Sequence, residues 1–299
     1  MPRSTTADGN DPVTPGRPVL DRHGLFQDIS EYLYRPRVLA NEHNNYLFLR
    51  RLLKDARGFA SHPVFRAGAS DTAVLKPSEL YYLGGSQAAT LGGVASAVAA
   101  DWTRAVLVVP PMNFSLLETR SVHWATFGPY RNAAYTDELE RTLLFAIAQM
   151  LQDRAEPSGY VAHIISDPYP DTPLHEVLLV EAFGDYQVAN IATESEARSL
   201  GVHVWQPFLA PGRSPDLTPA WGLPAVPAAP FHGSVLVMWD FGRPAPPTEN
   251  IAPPWSGSDP HGGPGSDPRA RQMMSDFVQP NGAFVDVCNG GPCQSDVLD

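Results

Sequence analysis

The chain has 299 residues, enough for one large domain with a substantial core, and 43% of them are hydrophobic while 18% are charged. The formal net charge is −11 at pH 7 with no basic stripe, which argues against nucleic acid as the main partner. No apolar run approaches the length needed to span a membrane. Residues 1–20, rich in Pro, Gly, Thr and Asp, are predicted to be disordered, and residues 21–299 to form a single domain.

The predicted elements alternate between helices and apolar strands. Helical periodicity is found at 43–57, 136–154, 191–200 and 268–278. Continuous apolar runs predict buried strands at 80–83, 104–109, 175–183 and 234–241, with weaker strand predictions at 72–76 and 160–165. Long Pro-rich surface loops are predicted at 206–230 and 243–264. Continuous apolar strands interleaved with helices indicate an α/β fold, with a mostly parallel sheet covered by helices on both faces.

A tight turn with the sequence GGSQA joins the first of these main strands to a helix of small residues. A serine hydroxyl becomes an effective nucleophile only when a base takes its proton, and a strained strand-to-helix turn would expose Ser86 to such a base. The turn would also aim the backbone N–H of Gln87 at a developing oxyanion. Small neighbours permit this nucleophile elbow, in which Ala88 replaces the last glycine of G-x-S-x-G. The alternative is a glycine-rich turn with an incidental serine.

An acid and a histidine follow later strands in the order that a nucleophile elbow predicts. Asp185 lies just past the strand at 175–183, and His261 lies in the loop after the strand at 234–241. Catalytic groups gather at the carboxyl ends of strands in such sheets. Asp185 would orient the imidazole, and His261 would act as general base and then general acid. The alternatives are that Asp185 begins a turn that caps the next helix and that His261 is an exposed loop residue.

The only two cysteines, Cys288 and Cys293, lie in the sequence CNGGPC. The lack of a second ligand pair for zinc favours a small disulfide loop over a redox pair or half of a metal site. A disulfide indicates an oxidising, extracytoplasmic compartment. Residues 1–18 contain no apolar segment of the kind found in a secretory signal, which conflicts with that expectation.

Three segments of the chain resemble one protein family: YYLGGSQAATLGG, LLVEAFGDYQVANIATESEARSLG and DPHGGPGSDPRARQMMSDF. They resemble the later part of bacterial α/β-hydrolase-like proteins, many of them uncharacterised and exported. In that family the elbow reads GGSQGG, the acid lies in a GD-x-QV segment and the histidine in a DPH segment. The resemblance covers residues 72–293, and the cysteine pair is similar too. It implies an α/β-hydrolase fold with Ser86, Asp185 and His261 as the catalytic triad, and it implies no substrate.

Residues 21–79 depart from that family, because they carry only helical or irregular patterns. In the family several strands precede the elbow, form half of the sheet and supply the second oxyanion N–H. Without them the elbow strand would have an open apolar edge, which proteins normally avoid. His23 and Gly24 faintly resemble an oxyanion-loop HG pair, but no strand precedes them. We therefore expect a hydrolase-like domain that lacks the N-terminal strands. The chain would be a truncated reading frame, a domain that another chain completes, or a compact variant of the fold.

The sequence predicts a serine hydrolase that cleaves a carboxylic ester or similar acyl bond of a small molecule through an acyl-enzyme, without a cofactor. Gln87 would donate one oxyanion hydrogen bond, and the second donor is unassigned. The alternative is a non-catalytic binding or assembly protein that pairs with a partner or a second copy at its open sheet edge. Metal binding by the DPYPD segment at 167–171 is a weaker alternative, because such loops usually form turns and the spacing matches no EF-hand.

Overall fold

The computed structural model describes residues 34–255 and 257–298, with side chains from residue 44 onward. The predicted disordered segment at 1–20 and the His23–Gly24 pair lie outside these residues. The helices are α1 Tyr34–Lys54, α2 Gln87–Ala97, α3 Phe114–Leu117, α4 Trp124–Ala134, α5 Glu138–Gln152, α6 Val161–Ile165, α7 Asn190–Leu200, α8 Gly263–Ser266 and α9 Pro268–Val278. The strands are β1 Arg66–Ala67, β2 Thr72–Ala73, β3 Tyr82–Gly85, β4 Arg104–Val108, β5 Glu176–Ala182, β6 His203–Val204, β7 Val235–Asp240 and β8 Cys293–Gln294.

A six-stranded sheet forms the centre of the described structure, in the order β3-β4-β5-β7-β6, with β8 also paired to β7. Every strand pair in this sheet is parallel. The carboxyl ends of β3, β5 and β7 therefore lie at one edge of the sheet, which is where polar groups of α/β proteins gather. This edge is called the carboxyl edge below.

Both faces of the sheet are covered, which explains why its strands are continuous apolar runs. On one face α2, α6 and α7 pack on Leu107, Leu179 and Leu236. On the other face α9 packs on Val106 and its neighbours through Ala270, Met273, Met274 and Phe277. The predicted α/β fold with helices on both faces is thus confirmed.

The four main strand predictions and the four helix predictions correspond to observed elements, with shifted ends. The largest shift is in α1, which begins at Tyr34 and ends at Lys54 rather than covering 43–57. The prediction of a strand at 160–165 is wrong, because Val161–Ile165 form α6. Its apolar residues Val161, Ile164 and Ile165 recur at the helical spacing of three and four, which a six-residue run disguises as a strand.

The sheet ends at β3, since residues 34–79 contribute no strand to it. The weak strand predicted at 72–76 forms only β2, which pairs with β1 in a separate antiparallel ribbon. Helix α1 packs beside α2 instead, where Arg50 Nε lies 3.0 Å from Asp101 Oδ2. The expected open edge at the elbow strand is therefore present in the described part of the chain.

The two cysteines form the predicted disulfide between Cys288 and Cys293, with their Cα atoms 5.2 Å apart. Cys293 begins β8, so the disulfide lies beside the strand pair that β8 forms with Trp239 and Asp240 of β7. Among the described helices, none is both long and apolar enough to cross a membrane.

One carboxyl group in the core has no hydrogen-bond partner among the residues that the structure describes. Glu196 of α7 is fully buried, and neither of its carboxyl oxygens is hydrogen-bonded within this part of the chain. It lies against Gly93 of α2, where an added Cβ would be 3.5 Å from Glu196 Oε1. Burial, together with the nearby charge of Glu156, raises the pKa of Glu196 to about 8.

We expect Glu196→Gln to raise the free energy of unfolding at pH 8 by at least ~1 kcal/mol. The native chain retains a proton that the unfolded chain loses above its ordinary pKa of 4.5, so Glu196 lowers stability as the pH rises from there to about 8. Denaturant titrations of both proteins at several pH values measure this difference. The exposed Glu249→Gln serves as the control and should change nothing. A glutamine variant no more stable than the wild type would contradict this account.

Candidate active site

Ser86 occupies a strained turn between β3 and α2. Its backbone has φ 57° and ψ −123°, a region that side-chain-bearing residues rarely adopt. The turn stays attached to the sheet, because Ser86 N donates a 2.8 Å hydrogen bond to Val108 O of β4. Such strain persists only where the surroundings enforce it, and it clusters at functional positions. Ser86 therefore occupies the strained strand-to-helix turn that the sequence predicts.

Glycine is required at the start of this turn for steric reasons. A Cβ at Gly84 would lie 2.6 Å from the carbonyl oxygen of Ala88 and 2.8 Å from a ring carbon of Tyr82. Tyr82 in turn donates its hydroxyl hydrogen to Ala88 O at 2.6 Å. Strand and helix are thus in direct contact, and their closeness forces the chain to turn sharply at Ser86.

The Ser86 hydroxyl and the first backbone N–H of α2 are both available to bind a ligand. The Ser86 side chain is half-buried, and its hydroxyl makes no hydrogen bond within the described residues. The first turn of α2 begins at Gln87, whose backbone N–H has no hydrogen-bond acceptor in the same part of the chain. This N–H is an unsatisfied donor at the positive end of a helix, which favours an anion beside the serine.

Asp185 and His261 form a buried pair at the carboxyl edge. His261 Nδ1 lies 2.7 Å from Asp185 Oδ2, although the two residues are far apart in sequence. The other carboxylate oxygen accepts hydrogen bonds from Gln187 N at 2.8 Å and Val188 N at 2.9 Å. A carboxylate can only accept, so Nδ1 carries the proton, and in the neutral imidazole Nε2 keeps a free lone pair. The predicted acid and base are therefore brought together.

The environment shifts the pKa of both groups upward. Burial lowers the pKa of the His261 imidazole, but the hydrogen bond and charge of Asp185 and the charge of Asp259 outweigh it and raise the pKa above 6.5. Burial raises the pKa of the Asp185 carboxyl, and the His261 hydrogen bond opposes that rise. The pair therefore favours a proton on the imidazole once a reaction delivers one.

The turn that carries Asp185 is held by a polar residue that the sequence reading missed. Asn190, the first residue of α7, accepts a 2.9 Å hydrogen bond from Gly184 N. Its amide nitrogen donates to Ala182 O at 2.7 Å and to Glu181 Oε1 at 2.8 Å. Asparagine satisfies three groups here because it has both a donor and an acceptor. The signal in the sequence was an asparagine five residues after the acid at a predicted helix start.

The structure does not bring Ser86 into hydrogen-bond contact with His261. Both lie at the carboxyl edge, but β4 separates β3 from β5, a distance of about 10 Å across the sheet. The loop that follows β7 brings His261 to Asp185, which follows β5.

The described residues contain no cluster of three or more His, Cys, Asp or Glu side chains that could hold a metal ion. In the DPYPD segment, Asp167 lies beside His163, with 3.7 Å between the carboxylate and Nδ1. Asp171 has a positive φ of 65°, as turn residues often do. The segment therefore has the features of a turn, and nothing in its geometry favours the metal alternative.

Comparison with known proteins finds no match: no family model, no curated protein and no solved structure matches this chain. The resemblance in the three motifs therefore depends on the residues themselves. Three of those residues, Ser86, Asp185 and His261, lie at the carboxyl edge of the sheet.

The strain at Ser86 can be measured by substitution. We expect Ser86→Gly to exceed Ser86→Ala in free energy of unfolding by about 1 kcal/mol, because glycine relieves the unfavourable backbone conformation and alanine keeps it. Chemical denaturation of the two variants gives the difference, and the comparison with alanine removes the effect of losing the hydroxyl. Equal stability of the two variants would show that the turn is not strained.

Proposed function

We propose that this protein is a serine hydrolase that cleaves a carboxylic ester or a similar acyl bond of a small molecule. Ser86 is the nucleophile, His261 the general base and Asp185 the residue that orients the imidazole. The observation that carries the proposal is the 2.7 Å contact between the buried Asp185 and His261 at the carboxyl edge, where Ser86 with its φ of 57° also lies. The order of the three along the chain is the order that follows from a nucleophile elbow.

The reaction proceeds in two halves through an acyl-enzyme. Ser86 Oγ attacks the carbonyl carbon while His261 Nε2 takes the hydroxyl proton, and the proton then passes to the departing alcohol. Water enters, gives a proton to His261 and attacks the acyl carbon, and Ser86 recovers its proton as the acid leaves. Asp185 accepts the Nδ1–H bond throughout and stabilises the imidazolium that forms in each half.

The oxyanion formed in each half requires hydrogen-bond donors. The N–H of Gln87 is one, since it begins α2 and has no acceptor among the described residues. Removing a single oxyanion donor typically costs about 100- to 1000-fold in turnover, so the second donor matters as well. The second donor is unassigned, and the His23–Gly24 pair, which faintly resembles an oxyanion-loop HG, lies outside the described residues.

The proposed class is an α/β hydrolase. Its supports are the three motifs around residues 86, 185 and 261, the parallel sheet and the position of each residue after β3, β5 and β7. An ester is preferred over a peptide as substrate by analogy alone, because such folds serve many chemistries and esters are the commonest among them.

We expect the purified chain to hydrolyse short-chain aryl esters with a burst of the alcohol product. Ser86→Ala and His261→Ala should each lower kcat by at least about 1000-fold, because members of a triad act as a unit. The controls are Ser195→Ala and the exposed His232→Ala, which should leave kcat unchanged. The value of kcat/KM should rise with pH through the raised pKa of His261, because only the neutral imidazole accepts a proton. Undiminished hydrolysis by Ser86→Ala would contradict the proposal.

A second candidate function is favoured by the open edge at β3. No described strand pairs with its outer side, and Leu83 within it is 61% exposed. Leu83 is in register with Val106 of β4, and α9 covers Val106. The cover by α9 therefore ends at β4 and leaves Leu83 of β3 exposed. An uncovered strand edge with an exposed apolar side chain can pair with a partner strand or with a second copy of the chain.

If the β3 edge pairs with a second copy, the wild-type chain should self-associate at high protein concentration and Leu83→Lys should weaken the association. A lysine on an edge strand discourages pairing through its charge and hydration. Light scattering coupled to gel filtration measures the mass of each species. Leu217→Lys, in an exposed loop, is the matched control. A wild-type chain that stays monomeric at every concentration would exclude this form of the candidate.

A further inference from the structure

A second carboxylate connects the histidine loop to the acid turn. Asp259 lies two residues before His261, and its Oδ1 accepts a hydrogen bond from His261 N at 3.1 Å. The same oxygen accepts from Tyr186 N at 3.2 Å, on the residue after Asp185. Its Oδ2 accepts from the side-chain nitrogen of Gln187 at 2.9 Å. One carboxylate thus contacts both segments that carry the acid and the base.

From this geometry we infer that Asp259 is a positioning residue for the His261 base. Its carboxylate fixes the histidine loop on the acid turn, and its charge stabilises the imidazolium that forms when His261 takes a proton. The inference rests on the proposed function of His261. It assigns Asp259 no contact with the substrate, because the residue acts through the imidazole and the backbone that carries it.

A simple capping role does not account for these contacts. Asp137 at the start of α5 is an ordinary cap: within the described residues its side chain accepts only from Leu139 N and Glu140 N of its own helix. Asp259 caps a three-residue turn, Pro260–Gly262, in the same way. In addition it reaches residues more than seventy positions earlier in the chain. Those long-range bonds determine where the His261 loop lies relative to Asp185.

The network extends one residue further, to a histidine. Because the Gln187 amide donates to Asp259, its oxygen faces outward, and it lies 3.2 Å from His123 Nε2. The segment before α4 is also joined to the acid turn, since Val122 N donates to Tyr186 O at 2.9 Å. The acid turn is therefore held on both sides, by the histidine loop and by the segment that follows β4.

The charges that act on the imidazole are Asp185 and Asp259, with His123 one amide away. His261 is largely buried, and a buried imidazolium is unfavourable unless opposite charges compensate for the lost hydration. The pKa of His261 reflects this balance, because burial lowers it while Asp185 and then Asp259 raise it. Two carboxylates therefore share the task that a single buried one would perform less completely.

The direct test is an NMR titration of the His261 imidazole in the substrate-free protein. Asp259→Asn keeps an acceptor oxygen and removes the charge, so we expect the pKa of His261 to fall by about half a unit. Asp185→Asn should lower it further. The control is Asp137→Asn, which removes a carboxylate that caps a different helix, α5, and should leave the His261 titration unchanged. An unchanged titration in folded Asp259→Asn would overturn the inference.

Kinetics separate this inference from the proposed function. Asp259→Ala should lower kcat about 10- to 100-fold with little change in KM, because a misplaced base slows the chemistry more than it weakens binding. Asp259→Asn should move the acid limb of the kcat/KM profile to lower pH by the same amount as the NMR shift. If the wild type hydrolyses no ester but its His261 titration still responds to Asp259→Asn, the hydrolase proposal fails and the charge coupling stands. If esters are cleaved and neither limb nor titration moves, the positioning role fails alone.

Discussion

The contact between Asp185 and His261 constrains the paths of two segments that lie far apart in the sequence. Burying a carboxylate is costly unless its oxygens are hydrogen-bonded, and here one oxygen of Asp185 accepts from two backbone N–H groups while the other accepts from the imidazole of His261. The imidazole can arrive only if the chain after β7 returns across the carboxyl edge to the end of β5. Asn190 accepts a hydrogen bond from Gly184 in the acid turn, and Asp259 joins that turn to the loop that follows β7. The long Pro-rich stretch at 243–264 therefore serves a geometric purpose.

At the turn that carries Ser86, close packing of the neighbouring residues imposes an unfavourable backbone conformation. Tyr82 and Gly84 bring β3 against α2, and that contact leaves Ser86 no ordinary backbone conformation. The same helix also packs, at Gly93, on the buried carboxyl group of Glu196, which has no hydrogen-bond partner within the described part of the chain. Two unfavourable features thus adjoin α2, and the large apolar core on this face of the sheet offsets both.

Much of the fold could be predicted from the sequence because its strands are buried on both faces and read as uninterrupted apolar runs. The strand prediction at 160–165 was wrong because a run of six apolar-rich residues is too short to separate a helix from a strand. Its only helical signal is the spacing of Val161, Ile164 and Ile165. Strands β6 and β8 are two residues each and too short to leave a pattern.

Ser86, Asp185 and His261 could be singled out because each follows a recognisable strand. Asn190 and Gln187 could not, since their roles arise from contacts that only folding creates. Asp259 left a local signal, an aspartate before proline, but its long-range bonds left none.

The central claim is that Ser86 is activated by His261 and Asp185, and covalent labelling with a fluorophosphonate tests it most directly. The reagent reacts with a serine only when a base activates the hydroxyl. The account predicts one adduct per chain by intact mass, mapped to Ser86, absent in Ser86→Ala and strongly slowed in His261→Ala. A folded wild-type chain that takes up no label, or carries it on another serine, would contradict the account.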